Sequence, residues 1–189
     1  MDYSFILASA SPRRESLLKE AGQSFIVIPS TTEEVVDDSL SPKEVVKSLA
    51  LQKAQDVFKK YRQPTLGADT VVVFNGKILG KPNSKRQAKE FLQTLSGNMH
   101  EVITGIALVT NNKIINTYVV TKVYMQVLSS NFIDEYVSSG KAMDKAGAYG
   151  VQDGGFVSYV EGSLTNVIGL PMEKTEEVLK ELSLWQLKG

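Results

Sequence analysis

Arg13 and Arg14 stand side by side in the stretch LASASPRRESLLKEAG, directly after Ser11 and Pro12. Ser11 reads as a helix N-cap with proline in the first helical position, so a helix is expected from there to about Gly22. Both guanidiniums then fall in a first turn whose free backbone N–H groups already carry about half a positive charge, where acidic residues are the stabilising choice. Two accounts compete. Solvated arginines at a helix start are tolerated at small cost. Alternatively, the free N–H groups and two forked guanidiniums make a seat for an anion such as phosphate.

Three further places carry chemistry-bearing residues. In GADTVVV, Asp69 lies between a Gly-Ala pair and a β-branched run, although aspartate is disfavoured in strands. It is either a strand-end carboxylate bonded to a nearby turn or a partly buried acid able to act as base or metal ligand. In LGKP, Lys81 between glycine and proline is a restrained mount for an amine, and Lys53 is a second lysine to weigh against plain solvation. DKAGAYGVQDGG, Asp144 to Gly155, holds glycines that let backbone approach a ligand, together with Tyr149 and Gln152. It matches neither a Walker A loop nor the dinucleotide fingerprint.

Composition removes other chemistries. The chain has 189 residues, no cysteine and a single histidine, His100, expected at the surface of a strand entry. Thiol nucleophiles, zinc fingers and multi-histidine metal sites are excluded. Lysine plus arginine balances aspartate plus glutamate at 21 each, so no global field draws in nucleic acid. No apolar run approaches the roughly 18 residues of a membrane span, and the start MDYSFILAS lacks a basic leader, so a soluble cytoplasmic protein is expected.

The elements that must position these residues follow from periodicity. YSFILAS and SFIVIP read as strands on either side of the arginine-bearing helix, and TTEEVVDD as an acidic connection. SPKEVVKSLALQKAQDVFKKY opens on a capping box, Ser41 with Glu44, and carries apolar residues at helical spacing. TLGADTVVVFNGKILGKP is a strand, an Asn75–Gly76 turn and a short return strand. A helix ending near Gly97, two long strands joined at Asn111–Asn112 and a short helix stopped by Gly140 follow. FVSYVEGSLTNVIG is expected to form a hairpin, and LPMEKTEEVLKELSLW a closing helix. Alternating elements first and hairpins later imply an α/β class with a mixed sheet wrapped by helices, one unit of two lobes.

SASPRR, GADTVV, GKP, DKAGAYGVQ and VIGLP, in this order and at these intervals, closely resemble the septum-formation, or Maf, family of nucleoside triphosphate pyrophosphatases. The resemblance runs from about Ile6 to the last helix. It implies a fold similar to inosine-triphosphate pyrophosphatases, with a long mixed sheet and a cleft between two lobes, and a single Maf-like domain over residues 1–189. It implies hydrolysis of a triphosphate to monophosphate and pyrophosphate, with Asp69 as proton acceptor. GADT with GAYGxQ resembles the branch acting on dTTP and UTP, in which the counterparts of Arg13, Thr70 and Gln152 set substrate choice.

The resemblance also implies phosphate binding by Ser9, Arg14, Lys53 and Lys81. It implies a divalent cation, magnesium or manganese, held by one of Glu33 and Glu34, of which Glu34 is taken. A homodimer and a housecleaning role in the nucleotide pool are implied as well. Other readings are the same reaction on modified or purine triphosphates, and a non-catalytic nucleotide-binding regulator of cell division. One position departs from the family: Asp153 follows Gln152 where glycine is usual, placing an extra carboxylate where it would shift substrate preference or touch a metal.

Overall fold

The computed structural model describes residues 3–37 and 39–186. Its strands are β1 (Phe5–Leu7), β2 (Phe25–Val27), β3 (Thr65–Phe74), β4 (Lys77–Leu79), β5 (Met99–Val109), β6 (Ile114–Met125) and β7 (Val157–Glu161). Its helices are α1 (Pro12–Glu20), α2 (Pro42–Tyr61), α3 (Lys85–Leu95), α4 (Ser130–Ser138), α5 (Leu164–Ile168) and α6 (Met172–Lys180). Two 3₁₀ turns, Ala146–Ala148 and Val151–Asp153, lie in the glycine-rich loop. The strands form one seven-stranded sheet of order β2-β1-β3-β5-β6-β7, with β4 paired to β3. β1 pairs parallel with β2 and β3, whereas β4 on β3 and β7 on β6 are antiparallel, so the sheet is mixed as expected.

Contacts divide the chain into two compact units. The first comprises Met1–Thr70, Thr104–Val119 and Gly169–Gly189. Its cores include Phe5, Leu18, Leu66, Ile106 and Leu170 on one side, and Ala50, Ala54 and Phe58 of α2 with Ala107 and Val109 on another. The second comprises Val71–Ile103 and Val120–Ile168, built around Leu92, Leu95, Val123, Ile133 and Phe156.

The capping box of α2 is present in both directions: Ser41 Oγ accepts from Glu44 N–H, and the Glu44 carboxylate accepts from Ser41 N–H at 2.9 Å. α2 rests on glycine. A Cβ at Gly67 of β3 would stand 2.3 Å from the Ala50 carbonyl oxygen, and one at Gly105 of β5 2.2 Å from that of Val46. Any side chain at either position would push the helix off the sheet.

Two expectations are corrected, and a third holds in position but not in its side-chain bond. FVSYVEGSLTNVIG is not a hairpin: its strand half, β7, pairs with β6, and its second half is α5. The chain leaves the strand at Gly162, with φ of +125°, and Ser163 Oγ then accepts from Asn166 N–H. His100 is buried, with Nε2 2.7 Å from the Tyr149 hydroxyl. Burial pushes its pKa down to about 4, so the ring is neutral near pH 7. Ser11 occupies the N-cap position of α1, with proline following, but its side chain makes no capping bond; its N–H instead donates to Ser9 Oγ at 3.2 Å. Among the described residues no helix is long and apolar enough to cross a membrane.

Candidate active site

Alternation along β3 turns Gly67 and Asp69 to one face and Leu66, Ala68 and Thr70 to the other. α2 covers the first face. Ala50, whose carbonyl is seated over Gly67, and Lys53 are three residues apart on that helix and share a side of it. The seat at Gly67 therefore delivers Lys53 to Asp69, with Nζ 2.5 Å from Oδ1. The same ammonium lies 3.0 Å from Glu34 Oε1. Lys53 thus joins a buried acid, whose side chain is 12% exposed, to one that is 47% exposed. Of the pair Glu33–Glu34, it is Glu34 that reaches this ammonium.

The segment bearing Glu34 is strapped to α2 by side chains flanking Lys53. The Gln52 amide accepts from Val35 N–H at 3.1 Å and donates to Val35 O at 2.9 Å, a two-point pairing on the residue after Glu34. Asp56 accepts from the Ser30 hydroxyl at 2.8 Å and from Thr31 N–H at 3.0 Å, and these bonds hold its carboxyl below the usual carboxylate range.

Burial raises the Asp69 pKa, because removing a carboxylate from water disfavours its charged form. Lys53, by charge and hydrogen bond, and Arg14, by charge, pull against that rise, while Glu34 adds to it. The acid is therefore buried enough to favour taking a proton, yet is faced by cations that keep an ionised form accessible.

Arg14 approaches β3 from the α1 side and resolves part of the puzzle of its position. Nε donates to Gly169 O at 2.8 Å, Nη1 to Ser9 Oγ at 3.0 Å and to Ala68 O at 2.9 Å, and Nη2 to Thr70 Oγ1 at 3.0 Å. Four of the five N–H groups of a guanidinium are thereby engaged with protein acceptors. Arg14 bonds the residue before Asp69 and the residue after it, and the two charges attract. Desolvation lowers the Arg14 pKa, but a guanidinium remains charged. Thr70 Oγ1 also shares a hydrogen bond with Thr104 Oγ1 at 2.9 Å. Arg13, half-buried in the same turn, repels Arg14.

Ser9, Arg14 and Thr70 are thus one network, and Glu34, Lys53 and Asp69 another, both in the first unit. Lys81 and Gln152 belong to the second unit and are exposed there. In that unit Gly147 N–H donates to Gly80 O at 3.1 Å, tying the GKP turn to the glycine-rich loop. Gln52, Asp56, Thr104 and Gly169 escaped the sequence reading as site-forming residues. The spacing of Gln52 and Asp56 around Lys53 on one helix, and Gly169 within VIGLP, were the available signals.

The model of the Maf family, described as Maf-like protein, matches residues 4–182. The chain belongs to the Maf family. The Maf chain is 44% identical over 182 residues to a Bacillus anthracis (strain CDC 684 / NRRL 3495) protein named dTTP/UTP pyrophosphatase, covering 95% of each. A Bacillus mycoides (strain KBAB4) protein of the same name is 44% identical over 179 residues, 93% of this chain and 94% of its own. Among solved structures, a HAM1 protein from Coxiella burnetii aligns with a TM-score of 0.57 at 18% identity, over 94% of this chain and 98% of that one. That likeness places the Maf fold alongside HAM1 and supports the expected architecture.

Proposed function

We propose that this Maf chain hydrolyses dTTP and UTP to the monophosphate and pyrophosphate. The observation that carries the reading is the buried Asp69 carboxylate, held between the ammonium of Lys53 and the charge of Arg14, in a chain 44% identical to proteins named for this activity. Asp69 takes the proton of a water attacking the α-phosphorus; the new O–P bond forms as the bond to the bridging oxygen breaks, and pyrophosphate leaves. Lys53, Lys81 and Arg13 balance the roughly four negative charges of the triphosphate, while Arg14 acts by its field and holds Ser9 and Thr70 in place.

Among the described residues no group of three or more metal-ligating side chains is present. Glu34 and Asp69 nevertheless share one cation, the Lys53 ammonium, so their carboxylates suit a common positive charge. Magnesium is held by one or two carboxylates together with waters and substrate phosphates, so this donor set fits it. When bound it supplies charge neutralisation at the phosphates, and Glu34 is the residue that holds it.

Uracil and thymine present a carbonyl, an N–H and a second carbonyl along one edge, to which the Gln152 carboxamide both donates and accepts. Cytosine breaks that pairing and leaves polar groups unsatisfied at about 1–3 kcal/mol each. A panel of UTP, dTTP, CTP, ITP and m7GTP with magnesium tests the reading. Pyrophosphate as first product, with UTP and dTTP fastest, is expected. Orthophosphate as first product overturns the reaction, and equal rates on all five overturn the role of Gln152.

The pH profile follows from Asp69. A protonated acid cannot accept the water proton, so kcat/KM rises with pH through a pKa that burial sets above the ordinary carboxylate value. Lys53 is the strongest group opposing that rise. Lys53→Met therefore moves the acid limb to higher pH, besides lowering kcat/KM; a limb that stays in place or moves down contradicts the assignment.

A further inference from the structure

The second unit contains a polar cluster that the reaction does not use. Tyr136 of α4 donates its hydroxyl proton to Asp153 Oδ2 at 2.5 Å, and the Gly150 backbone N–H bonds to the same phenol oxygen. Lys145 Nζ stands 3.6 Å from that Oδ2, 2.9 Å from Asp144 Oδ1 and 2.5 Å from Lys141 O. A Cβ at Gly150 would meet Lys145 Cε at 2.8 Å and Asp153 Oδ2 at 3.0 Å, so the two side chains close directly over that glycine. Lys145 and Asp153, the two ends of a nine-residue segment by their numbers, are thereby tied to each other.

What lies between them is a conformation that needs holding. Gly147 and Ala148 both have positive φ, 66° and 65°, and for alanine that is an unfavourable backbone state. The segment is pinned at Gly147 N–H to Gly80 O and at Tyr149 to His100. Its last tie is Asp153, immediately after Gln152, whose side chain is exposed. The Asp153 carboxylate, which departs from the family pattern, is engaged by Tyr136 and Lys145.

We infer that Asp153, held by the Tyr136 hydroxyl and the Lys145 ammonium, is a positioning residue that fixes the Gln152 carboxamide for reading the pyrimidine edge. The inference rests on the reading of Gln152 given above. Asp153 touches no base; it fixes the backbone from which Gln152 projects. Loosening it leaves Asp69, Lys53 and Arg14 as they are, so its loss falls on discrimination more than on hydrolysis.

The test uses the full chain with Asp153→Ala, Asp153→Asn and Tyr136→Phe, and measures kcat and KM for pyrophosphate release from UTP and CTP. Amide hydrogen exchange of residues 144–155 is followed in parallel. Asp153→Ala and Tyr136→Phe are expected to lower the UTP:CTP ratio of kcat/KM by about tenfold, through KM for UTP with kcat largely kept, and to speed exchange in the loop. Asp153→Asn, which still accepts from the Tyr136 hydroxyl, is expected to retain most of the ratio. Tyr136→Phe removes a single oxygen and keeps the test decisive should Asp153→Ala fold poorly. A wild-type ratio well above one that survives in Tyr136→Phe overturns the inference alone, as does an equal loss on both substrates. A wild-type ratio of one overturns the base-reading role of Gln152, and this inference with it.

Discussion

Asp69→Asn is expected to abolish most of the turnover, by about 10²–10⁴-fold in pyrophosphate release, with UTP binding measured by calorimetry kept. The substitution is isosteric, so the close seating of α2 on Gly67 is undisturbed. It replaces the charged partner of Lys53 on the buried side by a neutral amide, and the ammonium keeps Glu34 as a charged partner at 3.0 Å. Cationic charge for the triphosphate is therefore preserved or increased, and the loss falls on kcat. Undiminished turnover would remove Asp69 from its role, and loss of binding in parallel with rate would make it a structural residue.

Arg14→Ala carries the second large effect, on stability. Its four bonds join the start of α1, both sides of Asp69 on β3 and the turn at Gly169 before α6. Removing the guanidinium deletes four hydrogen bonds to two backbone carbonyls and two hydroxyls in a part-buried setting, at a cost of about 3 kcal/mol or more in urea unfolding. Arg14→Lys keeps the charge but offers a point donor on a flexible stem, which cannot serve Gly169, Ala68 and Thr70 together, so it recovers little of the loss. A change within about 0.5 kcal/mol for Arg14→Ala would show the clamp to be dispensable.

The sequence announces elements whose signals are local. The capping box of α2 and the Asn75–Gly76 turn, with φ of 49° and 76°, are written in adjacent residues and appear as expected. α5 was missed because five residues are too few for periodicity to declare a helix, and its run of SLTNVI reads equally as strand. His100 was misplaced because its partner, Tyr149, lies 49 residues away in a loop. The candidate site divides in the same manner. Asp69 was conspicuous as an acid at a β-branched run, and the resemblance to Maf supplied its proposed role. The bond partners of Arg14 reach across 155 residues to Gly169, and no local pattern encodes them. The straps of Gln52 and Asp56 depend on where the chain after β2 returns along α2, which spacing alone does not specify.

One ammonium between two carboxylates has a consequence for the resting protein. Two acids drawn together with nothing between them would repel, working against the straps that hold the segment after β2 to the helix. Lys53 works as a tethered counterion: it neutralises the pair from within and travels with the fold. Any phosphate-bearing ligand that draws on this lysine must compete with both carboxylates for the same ammonium.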